Sequence, residues 1–236
     1  MPGYYIHLAA CNEKASMDRS FIIGVETPDL LKQYVKLFGI KGAKEKYDLL
    51  KTDLMPDFSR FETRLKQKES HFSTDGMHYG LSDKPDVMCY WNSLTEDEKH
   101  NPFYLGYLWH LLTDLLMYAM LNKTHKLDVF IKDHYGNSDD FDKKRLKALA
   151  ILHSDWDKTN LKVLETYQTE LTREVSELKK VKFEGGECYF VEWNIIKETT
   201  NILRAYDPFS KNIDWIIKSI IYMSSTAPVP LCLPKK

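Results

Sequence analysis

The sequence has few cysteines and no excess of either charge. Cys11, Cys89, Cys188 and Cys232 are scattered with no CxxC spacing, which argues against a thiolate zinc finger and against a disulfide framework. The 33 lysines and arginines nearly balance the 34 aspartates and glutamates. No overall field therefore attracts nucleic acid or an anionic membrane, although a local patch is compatible with such a balance.

Recognisable targeting and nucleotide-binding signals are also missing. The first twenty residues lack the basic start and long apolar core of a signal peptide. No apolar run reaches transmembrane length without a charge, and the nearest, residues 106–121, is interrupted by Asp114. We therefore expect a soluble, cytoplasmic protein with no transmembrane segment. Neither GxGxxG nor GxxxxGKS/T occurs, and there is no His-Asp dipeptide, which disfavours nucleotide enzymes and phosphohydrolases of the adjacent His-Asp type.

Most of what remains reads as helix. Thr27 resembles an N-cap before Pro28, and Gly39 resembles the stop of that helix. Asn101-Pro102 predicts the start of a long helix by the same logic. The other predicted helices show apolar spacings of three and four, and they cover residues 42–67, 85–94, 126–135, 140–172, 194–205 and 212–223. Residues 71–84 are expected to form a loop.

One stretch carries a β signal. Alternating residues flank Gly185-Gly186 and predict a two-residue hairpin over about 181–193. No repeat is visible, and no linker is long enough to divide the chain. We therefore predict one mainly α, multi-helix domain over residues 1–236, with this hairpin and the C-terminal helices covering 181–223.

The helix over 106–121 is apolar except for His110, Asp114 and Thr113. His110 and Asp114 are four residues apart and share a face, with Gly106 one turn earlier. A glycine there lets another backbone or a ligand come close. A buried carboxylate must be paired, hydrogen-bonded or coordinated, so the pair is either an internal His–Asp hydrogen bond or part of a metal site.

Further ligands would have to come from other segments. His7 lies in an apolar neighbourhood, and Asp29 follows Pro28, although an acid in the first turn of a helix is favoured by the macrodipole anyway. His71 and His78 lie in the predicted loop, and loops are where functional groups are common. His153 and Asp157 repeat the HxxxD spacing in a more polar stretch, where a surface pair is the simpler interpretation.

Four short motifs occur in a suggestive order: the His7-Leu8 pair, GxxxPD at 24–29, HYG at 78–80 and GYLxHLLTD at 106–114. Together they resemble the zinc-dependent phospholipase C family, whose helical fold is shared with single-strand nucleases. The resemblance covers roughly residues 1–121.

The resemblance implies a zinc cluster. Asp29, His78, His110 and Asp114 would hold one zinc, and Asp114 would bridge to a second zinc that His7 also binds. His71 is the rival of His78 for its role. The family's third zinc needs a histidine where this chain has Met120, so the resemblance implies one or two ions. His125, His153 and Asp157 are the further candidate ligands.

The resemblance also implies a hydrolase that uses metal-activated water on a phosphate ester. Glu26 and Asp75 are candidates for general base or for a partner of a ligating histidine. A small phosphoester or a phospholipid is the preferred substrate, and nucleic acid is disfavoured by the near-neutral charge. In such a hydrolase the charged helices at 42–67 would form a lid or a partner surface. The alternative is a non-catalytic helical protein with a structural metal site or His–Asp network, whose charged helices bind a partner.

Overall fold

A computed structural model shows a mostly helical chain. The residues described lie in 4–51, 53, 55–66, 73–79, 82–124, 188 and 191–225, with ten more between 151 and 167. Within these, no helix is long and apolar enough to cross a membrane. The mainly α fold class predicted from the sequence is confirmed. The expected helix at 126–135 and most of the hairpin at 181–193 lie outside the described residues.

The elements follow one another along the chain as helices with one short strand pair. In chain order they are α1 (Tyr4–Ala9), α2 (Glu13–Ser16), α3 (Arg19–Leu50), α4 (Ser59–Lys66), β1 (Ser73–Tyr79), β2 (Ser82–Pro85), α5 (Val87–Asn92), α6 (Glu96–His100), α7 (Pro102–Lys123), α8 (Trp193–Arg204) and α9 (Ile213–Ser225).

Helix α7 is the centre of the described structure. It begins at Pro102 as predicted, and the side chain of Asn101 accepts a hydrogen bond from the Phe103 amide at 2.9 Å. Residues 103–121 are buried on every side, which is expected of a helix that is apolar all round. Helices α3, α8 and α9 pack against it. The aromatic rings of this helix are part of the core, including those of Tyr107 and Trp109.

Helix α3 differs from its predicted bounds. The N-cap is Asp18, whose side chain accepts a hydrogen bond from the Phe21 amide, and the helix runs through Thr27 and Pro28 to Leu50. The predicted start at Thr27-Pro28 is therefore wrong. Burial of Phe21 and Val25 stabilises the earlier turns, and packing of that kind overrides a local capping signal. The stop predicted at Gly39 is confirmed, because this residue, with φ of 66° and ψ of 179°, separates two helical stretches that meet at a kink within the span of α3.

Helices α3 and α7 cross at two glycines. A Cβ added to Gly24 would lie 2.0 Å from the backbone oxygen of Phe103, and one added to Gly106 would lie 1.9 Å from that of Phe21. Any side chain there would force the two backbones apart. The close approach expected at Gly106 is therefore made by another helix backbone.

The segment at 42–67 is anchored on the core. It consists of the end of α3 and the short helix α4. Tyr47 packs edge-on against Phe58 and Phe61, and Phe61 stacks on Tyr107 of α7 with centroids 5.8 Å apart. These buried rings tie the segment to α7.

The predicted loop at 71–84 contains strands β1 and β2, which pair antiparallel with Tyr79 opposite Ser82 and His78 opposite Asp83. The prediction of a loop is therefore wrong. The two strands are joined by backbone hydrogen bonds, and their largely polar residues lack the alternating apolar pattern by which a strand is recognised in a sequence.

The C-terminal helices, α8 and α9, agree with the predicted spans within two residues.

Replacing Gly106 with alanine should destabilise the protein. The new methyl group would meet the Phe21 carbonyl at 1.9 Å. Overpacking typically costs about 1–3 kcal/mol, and a clash with backbone belongs to the upper part of that range. Alanine in place of a helical glycine otherwise stabilises by up to about 1 kcal/mol, so the sign of the change is diagnostic. Urea unfolding measures it, and an unchanged or increased free energy of unfolding for Gly106→Ala would contradict the close crossing.

Candidate metal centre

Four side chains predicted as metal ligands come together from three segments. His7 lies on α1, Asp29 on α3, and His110 and Asp114 on α7. The side chains of His7, His110 and Asp114 are at most 2% exposed, while that of Asp29 is 23% exposed. Three members of the group are therefore buried, and only Asp29 is partly exposed to solvent.

The carboxylate of Asp114 lies between the two imidazoles. Its Oδ1 is 3.5 Å from Nε2 of His7, and its Oδ2 is 3.5 Å from Nε2 of His110. The two imidazole rings stack with centroids 3.8 Å apart and planes 11° apart. Asp29 Oδ2 lies 4.0 Å from His7 Nε2. One carboxylate thus faces two ring nitrogens through different oxygens.

The backbone of α3 orients His110. Nδ1 of His110 lies 2.8 Å from the carbonyl oxygen of Val25, in a buried hydrogen bond. A carbonyl oxygen can only accept a hydrogen bond, so Nδ1 of His110 carries the hydrogen. In the neutral ring Nε2 then has no hydrogen, and its lone pair, which could bind a metal ion, faces Asp114. Metal-binding histidines are commonly fixed in this tautomer by a partner on the other nitrogen.

The spacing of the donors fits a shared cation. Ligand atoms of His7, His110 and Asp114 all lie within 4.8 Å of one another, so this group could hold a metal ion. Two ligands on a tetrahedral zinc with bonds of about 2.05 Å are separated by about 3.4 Å. The 3.5 Å separations are close to that value, and longer than the roughly 2.7–2.9 Å of a well-formed charge-assisted hydrogen bond.

The carboxylates perturb the titration of His110. Burial alone would lower the pKa of His110, but the charge and hydrogen bonding of Asp114, the charge of Asp29 and the bond to Val25 together raise that pKa above 6.5. The raised pKa means that these carboxylates favour the protonated form of His110, whose charge would compensate that of Asp114. A metal ion bound through Nε2 of this ring would have to displace that proton.

Helix α1 is held in place through its C-terminal carbonyls. Nη1 of Arg204 donates to the oxygens of Ala9 at 3.1 Å and Cys11 at 2.7 Å, and Nε1 of Trp109 donates to that of Ala10 at 3.1 Å. These bonds connect the helix that carries His7 to α7 and α8. Sequence reasoning missed both donors, because a basic residue in a last helical turn and a core tryptophan carry no specific signal.

None of the remaining predicted site residues is shown to join this group in the part of the chain that the structure describes. Glu26 is buried on α3, and its charge adds to burial in raising the pKa of Cys11. Asp75 and His78 lie on β1, whose backbone alone is described. His71, His125, His153 and Asp157 lie outside the described residues. The roles proposed for all of these stay predictions.

Asp29 does not occupy the first turn of its helix. It follows ten residues after Arg19, in the middle of α3, one turn beyond Val25. The macrodipole explanation for an acid at this position therefore does not apply. Its position near His7 follows from the crossing of α3 with its neighbours.

Comparison with protein-family models, with curated proteins and with solved structures finds no match to this chain. The resemblance to the zinc-dependent phospholipase C family stays a prediction from four short motifs.

The chelator-treated chain should become less stable as pH rises. The pKa of His110 is raised on folding, so its contribution is fully present below the unfolded value of about 6.5 and is lost as pH rises through the folded value. Urea unfolding across this range should show the decline in wild type and a smaller one in Asp114→Asn. His100→Ala, at an exposed helix end, serves as the control. Equal slopes for wild type and Asp114→Asn would contradict the assignment.

Proposed function

We propose that this protein is a zinc-dependent hydrolase of a phosphate ester. The observation that carries the proposal is the convergence of His7, Asp29, His110 and Asp114 from three separate segments. A buried histidine pair facing one carboxylate through two different oxygens is an unusual arrangement for a packed core. Such a group needs either protons or a cation to be stable.

The donor types support zinc as the ion. Two imidazole nitrogens with carboxylate oxygens are a set that zinc accepts readily, whereas magnesium and calcium prefer oxygen alone. We propose one or two ions, because Asp114 presents separate oxygens to His7 and His110. Met120 stands where the family would place a ligand for a third ion. His78 would complete the set as the resemblance implies.

When bound, such an ion supplies Lewis acidity, which activates water at neutral pH and offsets the negative charge of a phosphate ester. The chain's own groups prepare that chemistry. The Val25 carbonyl fixes the His110 ring, and Asp114 orients toward both histidines. Asp29, the most exposed of the four, marks the side from which substrate would enter. Glu26 and Asp75 remain the proposed general base or partner groups.

The substrate class is proposed from the resemblance and the chemistry of the donors. A small phosphoester or a phospholipid headgroup suits a site whose exposed edge is a single carboxylate beside buried histidines. The near-neutral net charge of −1 disfavours nucleic acid. A cytoplasmic location, expected from the sequence, is part of this proposal.

A second candidate function is favoured by the burial of the group. His7, His110 and Asp114 are almost inaccessible, as in a structural metal site or a polar network that fixes α1 against α7. In that case the protein would be a non-catalytic helical partner of another molecule. The two candidates differ in whether a substrate reaches the ion through the edge at Asp29.

Elemental analysis of the purified chain should find zinc at one or two ions per molecule. His110→Ala and Asp114→Asn should each lower that content at least tenfold, as loss of a ligand removes one of few bonds to the ion. His100→Ala is the matched control, because this exposed histidine lies away from the group. A chain without metal, or unchanged content in both variants, would contradict the centre.

Hydrolysis should then be measured on generic phosphodiester and phosphomonoester substrates, with and without chelator. Zinc-loaded wild type should act on one of these classes, and chelator should abolish the activity. Asp29→Asn should reduce turnover more than metal content, because Asp29 lies at the exposed edge. Bound zinc with no hydrolysis of either class would favour the structural candidate.

A further inference from the structure

The interruption of α3 at Gly39 exposes two large apolar side chains. Leu37 is 60% exposed and Phe38 is 52% exposed, directly before the glycine whose φ of 66° breaks the helix. Both side chains therefore lie at a corner of the chain. We call this surface the apolar corner. It consists of the apolar side chains of Leu37 and Phe38 and of the neighbouring lysines Lys36, Lys41 and Lys46.

The exposed ring is held at this corner. Phe38 packs against Gly42, because a Cβ added to Gly42 would lie only 2.5 Å from the Cβ of Phe38. Tyr34, one turn earlier, has its ring centroid 6.3 Å away. The ammonium group of Lys46 lies 5.7 Å from the Phe38 ring centroid. The corner therefore combines apolar surface with a cation at close range.

The surrounding sequence carries an excess of positive charge. Residues 30–48 contain five lysines against two acids, Glu45 and Asp48, and Lys44 forms an ion pair with Asp48. The three lysines of the corner, Lys36, Lys41 and Lys46, are exposed. The whole chain has a net charge of only −1. A basic stretch around exposed apolar residues is thus a local feature that the overall composition hides.

We propose that the apolar corner binds the surface of an anionic phospholipid bilayer. Leu37 and Phe38 would enter the boundary between headgroups and acyl chains, while the neighbouring lysines contact the negative lipid phosphates. Peripheral binding of this kind needs both contributions, because neither a small apolar patch nor a few lysines is strong alone.

The charge of the corner favours a lipid surface over a second copy of the chain. Two copies meeting through this face would bring two sets of lysines together, and like charges across an interface are costly. An anionic bilayer offers many negative groups at once and tolerates an irregular apolar tip. The chemistry of the corner therefore matches a lipid surface best.

This inference does not depend on the metal centre. Asp29 and Phe38 are nine residues apart on α3, which corresponds to roughly 13 Å along a helix. The corner is therefore separate from the donor group, and its occupancy can be measured without catalysis.

The test is co-sedimentation of the full chain with lipid vesicles. Wild type should bind vesicles of phosphatidylcholine with phosphatidylserine and should not bind phosphatidylcholine alone. Binding should weaken as salt is raised. Lys36→Gln with Lys41→Gln should weaken it about 25-fold, at about fivefold per lysine. Leu37→Ser with Phe38→Ser should weaken it more than about tenfold through loss of apolar burial.

Matched controls are available on the described surface. Lys197→Gln with Lys218→Gln removes two exposed lysines elsewhere, and Met17→Ser removes a methionine that is 75% exposed; both should bind like wild type. Circular dichroism verifies that every variant is folded. Absence of binding to anionic vesicles, equal binding by the corner variants and the controls, or equal binding to neutral vesicles would overturn the proposal. So would self-association that the Leu37→Ser, Phe38→Ser variant abolishes.

Discussion

The backbone contact between α3 and α7 is the constraint on which the rest of the structure depends. Gly24 and Gly106 leave no room for a side chain at the crossing, so the two helix backbones meet directly. Because the backbones are in contact, Nδ1 of His110 can donate a hydrogen bond to the Val25 carbonyl. This single bond fixes the imidazole, and through it the relation of α3 to Asp114. A larger residue at either glycine would separate the helices and remove that bond.

The buried donor group is costly, and several interactions hold it together. Two imidazoles and a carboxylate with almost no exposure lose the solvation that they would have in water. Arg204 and Trp109 donate to three successive carbonyls at the C-terminal end of α1, and these bonds fix the helix that carries His7. The cost of burying the group is thus distributed over contacts far from it in sequence. A bound cation or a proton on His110 offsets the charge of Asp114.

The start of the long central helix α7 could be predicted directly from the sequence, but the start of α3 and the strand pair could not. Asn101-Pro102 predicted the start of α7 because its cap depends only on adjacent residues. Thr27-Pro28 gave the same signal inside α3, where burial of Phe21 and Val25 extended the helix by two turns. The strand pair at 73–85 gave no signal, because its stability comes from backbone pairing between polar residues. Arg204 and Trp109 were likewise invisible, since their partners are backbone atoms of a distant segment.

By itself, the sequence determined the mainly helical class and placed His110 and Asp114 on one face, because both depend on periodicity and on residues a single turn apart. It also singled out His7 and Asp29, through an apolar neighbourhood and a motif order. Only the tertiary structure decided that these four side chains meet, which carbonyl orients His110, and which edge reaches the surface. Those relations depend on how closely two backbones approach, a distance that no local pattern encodes.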